Sequence, residues 1–352
     1  MQRQSQFFGI LFFTLGVFLT SNASSFSLRN TLLTDHPEAN TFIEHMVQKH
    51  HFDRDELTRL LTQAKIKQNI LDTMQKPYEA LPWYRYKKSF LTPKHIQDGL
   101  QYWKEHEADL ERAQNQYGVP PEVVVAIIGV ETRYGKNKGS HNVLDALVTL
   151  AFYYPKRAEF FRSELEEFLL LVKEQHLDPK SLVGSYAGAM GEPQFMPSSY
   201  RNFAVDFSHS GKSDIIGNTV DAIGSVANYF KAHGWKTGEA VALPATVKGN
   251  GYKTLTLDKF NPIPTNRLSE LRALGININP NVTPLMLDPK TSVALIALED
   301  ETGPTYWLGL NNFYVITRYN HSNHYAMAVY QLSEILKTHY RQSGLTKYHK
   351  MG

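Results

Sequence analysis

The 352-residue sequence is 42% hydrophobic and 20% charged, which describes a globular protein with a sizeable core and excludes a disordered chain. Its formal net charge of +3 falls far short of the dense basic stripe of a nucleic-acid binder. Cysteine is absent, so disulfides, thiolate metal sites, cysteine nucleophiles and lipid attachment to an N-terminal cysteine are all excluded.

In chain order, the apolar run "FFGILFFTLGVFLT" at 7–20 follows Arg3 and precedes "SNASS", whose Ser21 and Ala23 suit a signal-peptidase site. A cleaved secretory signal over 1–23 is expected rather than a retained anchor, because the run is short for a membrane span. Residues 35–117 read as helical. Asp53 and Glu56 have capping-box spacing before Leu57, Leu60 and Leu61, and Ile96, Leu100, Trp103, Leu110 and Tyr117 mark a face that stops at Gly118. His45, His50 and His51 lack the i, i+4 spacing of a helical metal pair and read as solvated surface histidines.

A new helix is predicted from Pro120 and Pro121 to about Tyr134, stopped by Gly135. Helical patterns follow at 143–153, 157–175 and 220–235. Between 239 and 305, short alternating pieces such as "AVALPATV" and "YKTLTL", separated by Gly, Pro and Asn, predict a small β-rich insertion, and helix returns at 323–340.

Three stretches carry candidate chemistry. "GVETRYGKNKG" at 129–139 is no phosphate-binding loop, since five residues separate Gly129 from Gly135 and a helix precedes it. Glu131 reads either as a surface cap pairing with Arg133 or as a carboxyl in the last turn of a buried helix. In the second reading apolar neighbours and the helix dipole disfavour ionisation, which suits a general acid. "GSYAGAMGEPQFMPSSY" at 184–200 combines small residues, which let a bulky ligand approach, with Ser185 and Gln194 as hydrogen-bonding groups; a tight packing loop is the alternative. "NFYVITRYNHSNHYAMAV" at 312–329 places Tyr319, Asn320 and Tyr325 together, flat faces with polar edges that suit sugar rings.

These motifs, with "YPKRAEFF" and "VDAIGSVANYFKAHGW", resemble the membrane-bound lytic murein transglycosylase B family over residues 35–340. The resemblance implies a mainly α (α+β) fold: a helical N-terminal domain at 24–117, a lysozyme-like catalytic core at 118–238 completed by 306–345, and a small β-rich domain at 239–305. It places the catalytic acid on Glu131 and substrate-binding roles on Tyr86, Lys156, Arg157, Ser185, Gln194, Phe195, Tyr229, Tyr319, Asn320 and Tyr325. Lys156 replaces the arginine of many members, keeping the charge without the planar fork.

The implied reaction cleaves the β-1,4 bond between N-acetylmuramic acid and N-acetylglucosamine in peptidoglycan and leaves a 1,6-anhydromuramic end, with no catalytic cofactor. A hydrolytic muramidase using Glu192 as second carboxylate, and a non-catalytic peptidoglycan-binding scaffold, are the competing readings. The resemblance also implies a structural calcium site at Asp206, Ser208, Ser210, the Lys212 carbonyl and Asp221, although few carboxylates are present and a plain polar loop reads equally well. Expected partners are peptidoglycan strands, with cell-wall synthesis proteins as candidates. The expected form is a monomer in the periplasm, without a lipid anchor because Cys is lacking.

Overall fold

The computed structural model describes residues 36–75, 81–255, 257–279 and 287–344; the expected signal peptide lies outside them. Fourteen helices are present among the described residues. They begin with α1 (Pro37–His50), α2 (Arg54–Thr62), α3 (Gln68–Thr73), α4 (Trp83–Tyr86), α5 (Pro93–Glu105), α6 (Glu107–Tyr117) and α7 (Pro121–Thr132). After strand β1 (His141–Asn142) come α8 (Val143–Tyr153), α9 (Ala158–Gln175), β2 (Val183–Gly184), α10 (Pro197–Phe203) and α11 (Thr219–Ala232). The β-rich stretch holds β3 (Ala242–Val247), β4 (Asn266–Arg267), α12 (Leu268–Ala273), β5 (Ile276–Ile278), β6 (Ser292–Asp300) and β7 (Gly303–Gly309). Helices α13 (Asn311–Tyr319) and α14 (Asn323–Gln342) follow. The mainly helical fold predicted from the sequence is the one observed.

The chain forms two compact units, one from residues 36–75 with 138–202 and the other from 81–137 with 203–344. In the first, α8 packs on α9 through Leu147, Leu150, Phe161, Leu165 and Phe168, all buried. Asp53 caps α2 by accepting the Glu56 N–H at 2.8 Å, as its spacing predicts. The turn before α3 is tied to α8 by side chains that accept backbone amides: Lys65 N–H to Asp145 at 2.8 Å and Lys67 N–H to Thr149 at 3.0 Å.

In the second unit, α7 runs through the interior with every residue buried except its capping neighbours, packed by α5, α6, α11 and α14. The helix ends at Thr132, two residues before the predicted stop. Arg133 and Tyr134 are both left-handed (φ 50° and 60°), which folds the Tyr134 ring back over the helix. Glycine is required beneath it: a Cβ on Gly129 would lie 2.6 Å from the ring, and one on Gly99 would lie 2.4 Å from the hydroxyl.

Strands β4-β6-β7-β3-β5 form an antiparallel sheet in that order. Its core gathers Leu243, Leu268, Leu271, Ile276, Val293, Leu295, Leu308 and Leu310. "AVALPATV" supplies β3 as predicted. "YKTLTL" does not form the predicted strand: Gly251–Thr254 is a 3₁₀ turn, and Tyr252 and Leu255, three residues apart, both pack on this core. The apolar spacing there has the period of the tighter helix.

One buried carboxyl in the first unit has a consequence for stability. Glu164 of α9 accepts the Ser198 hydroxyl at 2.7 Å and the Ser198 N–H at 3.0 Å, capping the start of α10. Burial pushes its pKa up to about 7, against the pull of those two hydrogen bonds. Between about pH 4.5 and 7 the folded state therefore holds a proton that the unfolded chain has lost, and stability falls as pH rises through that window. Thermal melts from pH 4.5 to 8 are expected to show this decline in the wild type and a flatter profile in Glu164→Gln; parallel profiles would refute the assignment.

Candidate active site

Glu131 stands in the last turn of α7 and is only 7% exposed. The turn that follows is fixed by several bonds. Arg133 N–H reaches back to the Gly129 carbonyl at 2.9 Å, and Thr132 donates its hydroxyl to Ile128 at 3.1 Å while accepting the Gly135 N–H at 3.0 Å. A carboxyl at the negative end of a buried helix needs a donor, and Tyr325 provides one: its hydroxyl donates to Glu131 Oε1 at 2.6 Å.

Tyr325 is placed by the start of α14, where the Ser322 side chain caps the helix by accepting the Tyr325 N–H at 3.2 Å. From it an aromatic series extends. Tyr325 stacks on Tyr319 with 6.4 Å between centroids, Tyr319 tilts against Tyr229 at 4.8 Å, and Tyr229 stacks on His233 at 4.0 Å. Tyr229 donates to the Arg318 carbonyl at 2.6 Å, which fixes α11 to the end of α13. Burial raises the pKa values of Tyr325, Tyr319 and Tyr229 above the ordinary phenol range, and the negative charge of Glu131 adds to the rise, so all three remain hydrogen-bond donors.

Asn320 follows α13 and is 3% exposed; its Nδ2 is a buried donor without a hydrogen-bond partner in the structure. Such a group costs roughly 1–3 kcal/mol unless something satisfies it, which makes it a candidate ligand contact. Tyr86 is fully buried at the end of α4, stacked with Trp83 at 6.2 Å and tilted against His324 at 5.6 Å. Of the predicted site residues, this unit thus brings together Glu131, Tyr325, Tyr319 and Tyr229 by direct contact, with Asn320 adjoining as the chain neighbour of Tyr319 and Tyr86 through its ring contact with His324, the chain neighbour of Tyr325. Tyr325, read from the sequence as a sugar-stacking ring, is in addition the hydrogen-bond partner of Glu131. The two are 194 residues apart, and no local pattern marks that bond.

The remaining predicted residues belong to the first unit. Ser185 is buried, and its hydroxyl oxygen accepts the N–H groups of Ala187 at 3.3 Å and Ala189 at 2.9 Å. Its acceptor capacity is used within its own turn, which leaves the O–H to donate. Gln194 adopts a left-handed φ of 49° and donates Nε2 to the carbonyls of Lys138 and Gly191, so its side-chain oxygen is oriented as an acceptor. Phe195 is buried and pairs through its backbone with Met190. Glu192 is also buried and forms an ion pair with Lys138 at 3.3 Å. Lys156 is exposed, whereas Arg157 is partly buried over the Phe160 ring at 4.1 Å.

The family model for the transglycosylase SLT domain matches residues 34–334 of this chain. The chain belongs to the transglycosylase SLT domain family. It is 48% identical over 315 residues to the membrane-bound lytic murein transglycosylase B of Escherichia coli strain K12, covering 85% of this chain and 82% of that protein. The Escherichia coli lytic transglycosylase SLT35 in complex with calcium superposes with a TM-score of 0.78 at 46% identity, covering 87% of this chain and 95% of the other. The soluble lytic transglycosylase SltB1 of Pseudomonas aeruginosa superposes with a TM-score of 0.79 at 46% identity, covering 88% and 100%.

The loop from Asp206 to Asp221, expected to hold calcium, gathers donors of the kind that ion takes. Ser208 Oγ lies 3.5 Å and Ser210 Oγ 3.4 Å from Asp206 Oδ1, and Ser210 Oγ lies 3.2 Å from the Lys212 carbonyl. These hard oxygens, gathered by the turn at Gly211 (φ 99°), suit calcium. Asp221 is fully buried and accepts the Ser208 and Asp214 N–H groups at 2.7 and 2.8 Å, tying both ends of the loop to α11. With one carboxylate among the facing donors, affinity in the weak range of about 10⁻⁴–10⁻³ M is expected. Calcium at about ten times its Kd is expected to raise Tm through roughly 1.4 kcal/mol of preferential binding to the folded state. Asp206→Ala should abolish that gain. An unchanged wild-type Tm at 10 mM calcium, about ten times the weak end of that range, would remove the site.

Proposed function

We propose that this chain is a lytic transglycosylase that cleaves the β-1,4 bond between N-acetylmuramic acid and N-acetylglucosamine in periplasmic peptidoglycan. The observation that carries the reading is the carboxyl of Glu131, buried at the end of α7 and hydrogen-bonded to Tyr325 in a chain of this family. Glu131 gives its proton to the glycosidic oxygen, and the bond from that oxygen to C1 of the muramic residue breaks. The 2-acetamido carbonyl of the same sugar supports the positive charge left on C1. Its 6-hydroxyl then attacks C1 and returns its proton to the Glu131 carboxylate, closing the 1,6-anhydro ring without consuming water.

In this sequence Tyr325 disperses the charge on Glu131 after the first proton transfer, an interaction strongest in the charged state and so one that acts on turnover. Asn320 offers its buried Nδ2 to the sugar. Tyr86, Tyr229 and Tyr319 keep their proposed place along the glycan. Ser185, Gln194, Phe195, Lys156 and Arg157 are retained as substrate-binding residues on the strength of their motifs; the oriented O–H of Ser185 supports its assignment to the acetamido carbonyl. Export by the N-terminal apolar run belongs to the same proposal. No helix among the described residues is long and apolar enough to cross a membrane.

The hydrolytic alternative needs a second carboxylate, and its candidate Glu192 is engaged with Lys138. Glu131→Gln is expected to lower muropeptide release from purified sacculi by about 10³-fold, within the range set by general-acid catalysis. Mass spectrometry of wild-type products is expected to show anhydromuramic ends. Reducing ends together with a collapse in Glu192→Gln would establish the hydrolase, and no cleavage would establish the scaffold.

Tyr325→Phe removes one hydrogen bond to a charged group, worth about 1.5–3 kcal/mol, and should lower kcat roughly ten- to hundredfold with little change in KM. A kcat equal to wild type would show that the bond to Glu131 has no part in turnover.

A further inference from the structure

The histidines that the sequence assigned to the surface meet a carboxylate from a distant helix. Glu166 of α9 receives three donors from the C-terminal half of α1: His50 Nε2 at 2.6 Å and Lys49 Nζ at 2.8 Å on Oε1, and His45 Nε2 at 3.1 Å on Oε2. Both helices belong to the same compact unit. We propose that His45, His50 and Glu166 form a zinc site that staples α1 to α9, separate from the proposed catalytic machinery and from the calcium loop.

Geometry and donor chemistry support the assignment. The ligating atoms of the three side chains all lie within 4.8 Å of one another. Tetrahedral zinc with bonds of about 2.0–2.1 Å separates its ligand atoms by roughly 3.3 Å. The observed 2.6 and 3.1 Å separations, made to different oxygens of Glu166, fall less than 1 Å short of that figure, so adjustments of side-chain torsions suffice. Two imidazoles and one carboxylate are a ligand set zinc takes, with water in the fourth position. His45 is 43% exposed and His50 and Glu166 are each 18% exposed, so the ion can enter from solvent and keep a water ligand.

The backbone explains how i and i+5 residues converge. His51 adopts a left-handed φ of 55° and ends α1, so His50 occupies the final turn. Its carbonyl is held there by Lys173 Nζ of α9 at 3.2 Å. A further α1–α9 ion pair, Glu38 with Arg162 at 2.5 Å, fixes the other end of the helix pair. The groups facing the cluster are thus fixed by contacts independent of the ion.

Lys49 is the built-in competitor, because its ammonium occupies the carboxylate oxygen that zinc needs. Ligation requires neutral imidazoles.

The test is zinc titration of the full chain, freed of metal by a chelator, at pH 7.5, with a chromophoric competitor to report affinity. Cobalt is used in parallel, because its visible bands report four-coordinate geometry. One zinc per chain at micromolar affinity or tighter is expected, with a rise in Tm. His50→Ala and Glu166→Gln should each weaken it at least tenfold, and Lys49→Ala, which keeps all three ligands, should tighten it. Failure of the wild type to bind at 100 µM zinc, or equal binding by the wild type, His50→Ala and Glu166→Gln, would overturn the site; the second result would place the ion on other histidines. An unchanged affinity in Lys49→Ala would overturn the competition.

Discussion

Complete burial of α7 governs the rest of the candidate site. A helix with no solvent-facing side has to deliver its last carboxylate into protein, where an ionised oxygen without donors is costly. The phenol of Tyr325 answers that demand, and to do so α14 must begin at Asn323 with Ser322 as its cap. The tyrosine series through Tyr319 and Tyr229 then fills the surrounding space with rings that remain protonated. Electrostatics at one atom thereby dictates where two other helices start and stop.

Steric demands act on the same helix from its other side. The ring of Tyr134 lies where side chains at Gly129 and Gly99 would stand, so the end of α7 is locked by contact as well as by hydrogen bonds. In the other unit a comparable task falls to Glu164, which reaches from α9 to hold the start of α10. There the carboxyl fastens one helix to the next, while at Glu131 it meets the phenol of Tyr325. The two residues share burial and differ in their donors: a serine hydroxyl and amide in one case, a phenol within an aromatic series in the other.

Much of this was readable from sequence where the determinant is local. Apolar periodicity marks the helices, Gly118 (φ 75°) marks the end of α6, and the motif around Glu131 admits a buried acid as one of its two readings. What escaped is non-local or lacks a residue signature. Helix α7 ends before the point that Gly135 predicts because Arg133 and Tyr134, neither of them glycine, take left-handed conformations that tertiary packing enforces. Helix α13 begins at Asn311 without a capping side chain, so nothing local marks it as a separate element. Glu166 lies 116 residues from His50, so a search for helical i, i+4 histidine pairs passed over the cluster. The strand expected at "YKTLTL" and absent there shows the same limit, since spacing alone does not distinguish a short 3₁₀ turn from an extended edge.

The five-stranded sheet ends on its two shortest members, β4 with two residues and β5 with three, while its long strands β6 and β7 lie inside. An open sheet offers unpaired amides and carbonyls along its margins, and long flat margins recruit strands from neighbouring molecules. Here the margins run for only two ladder positions at β4 and three at β5, and β4 carries a charged side chain at Arg267. Ladders this short at the two margins give a neighbouring molecule little to extend, a form of colloidal protection that requires no covalent cross-link.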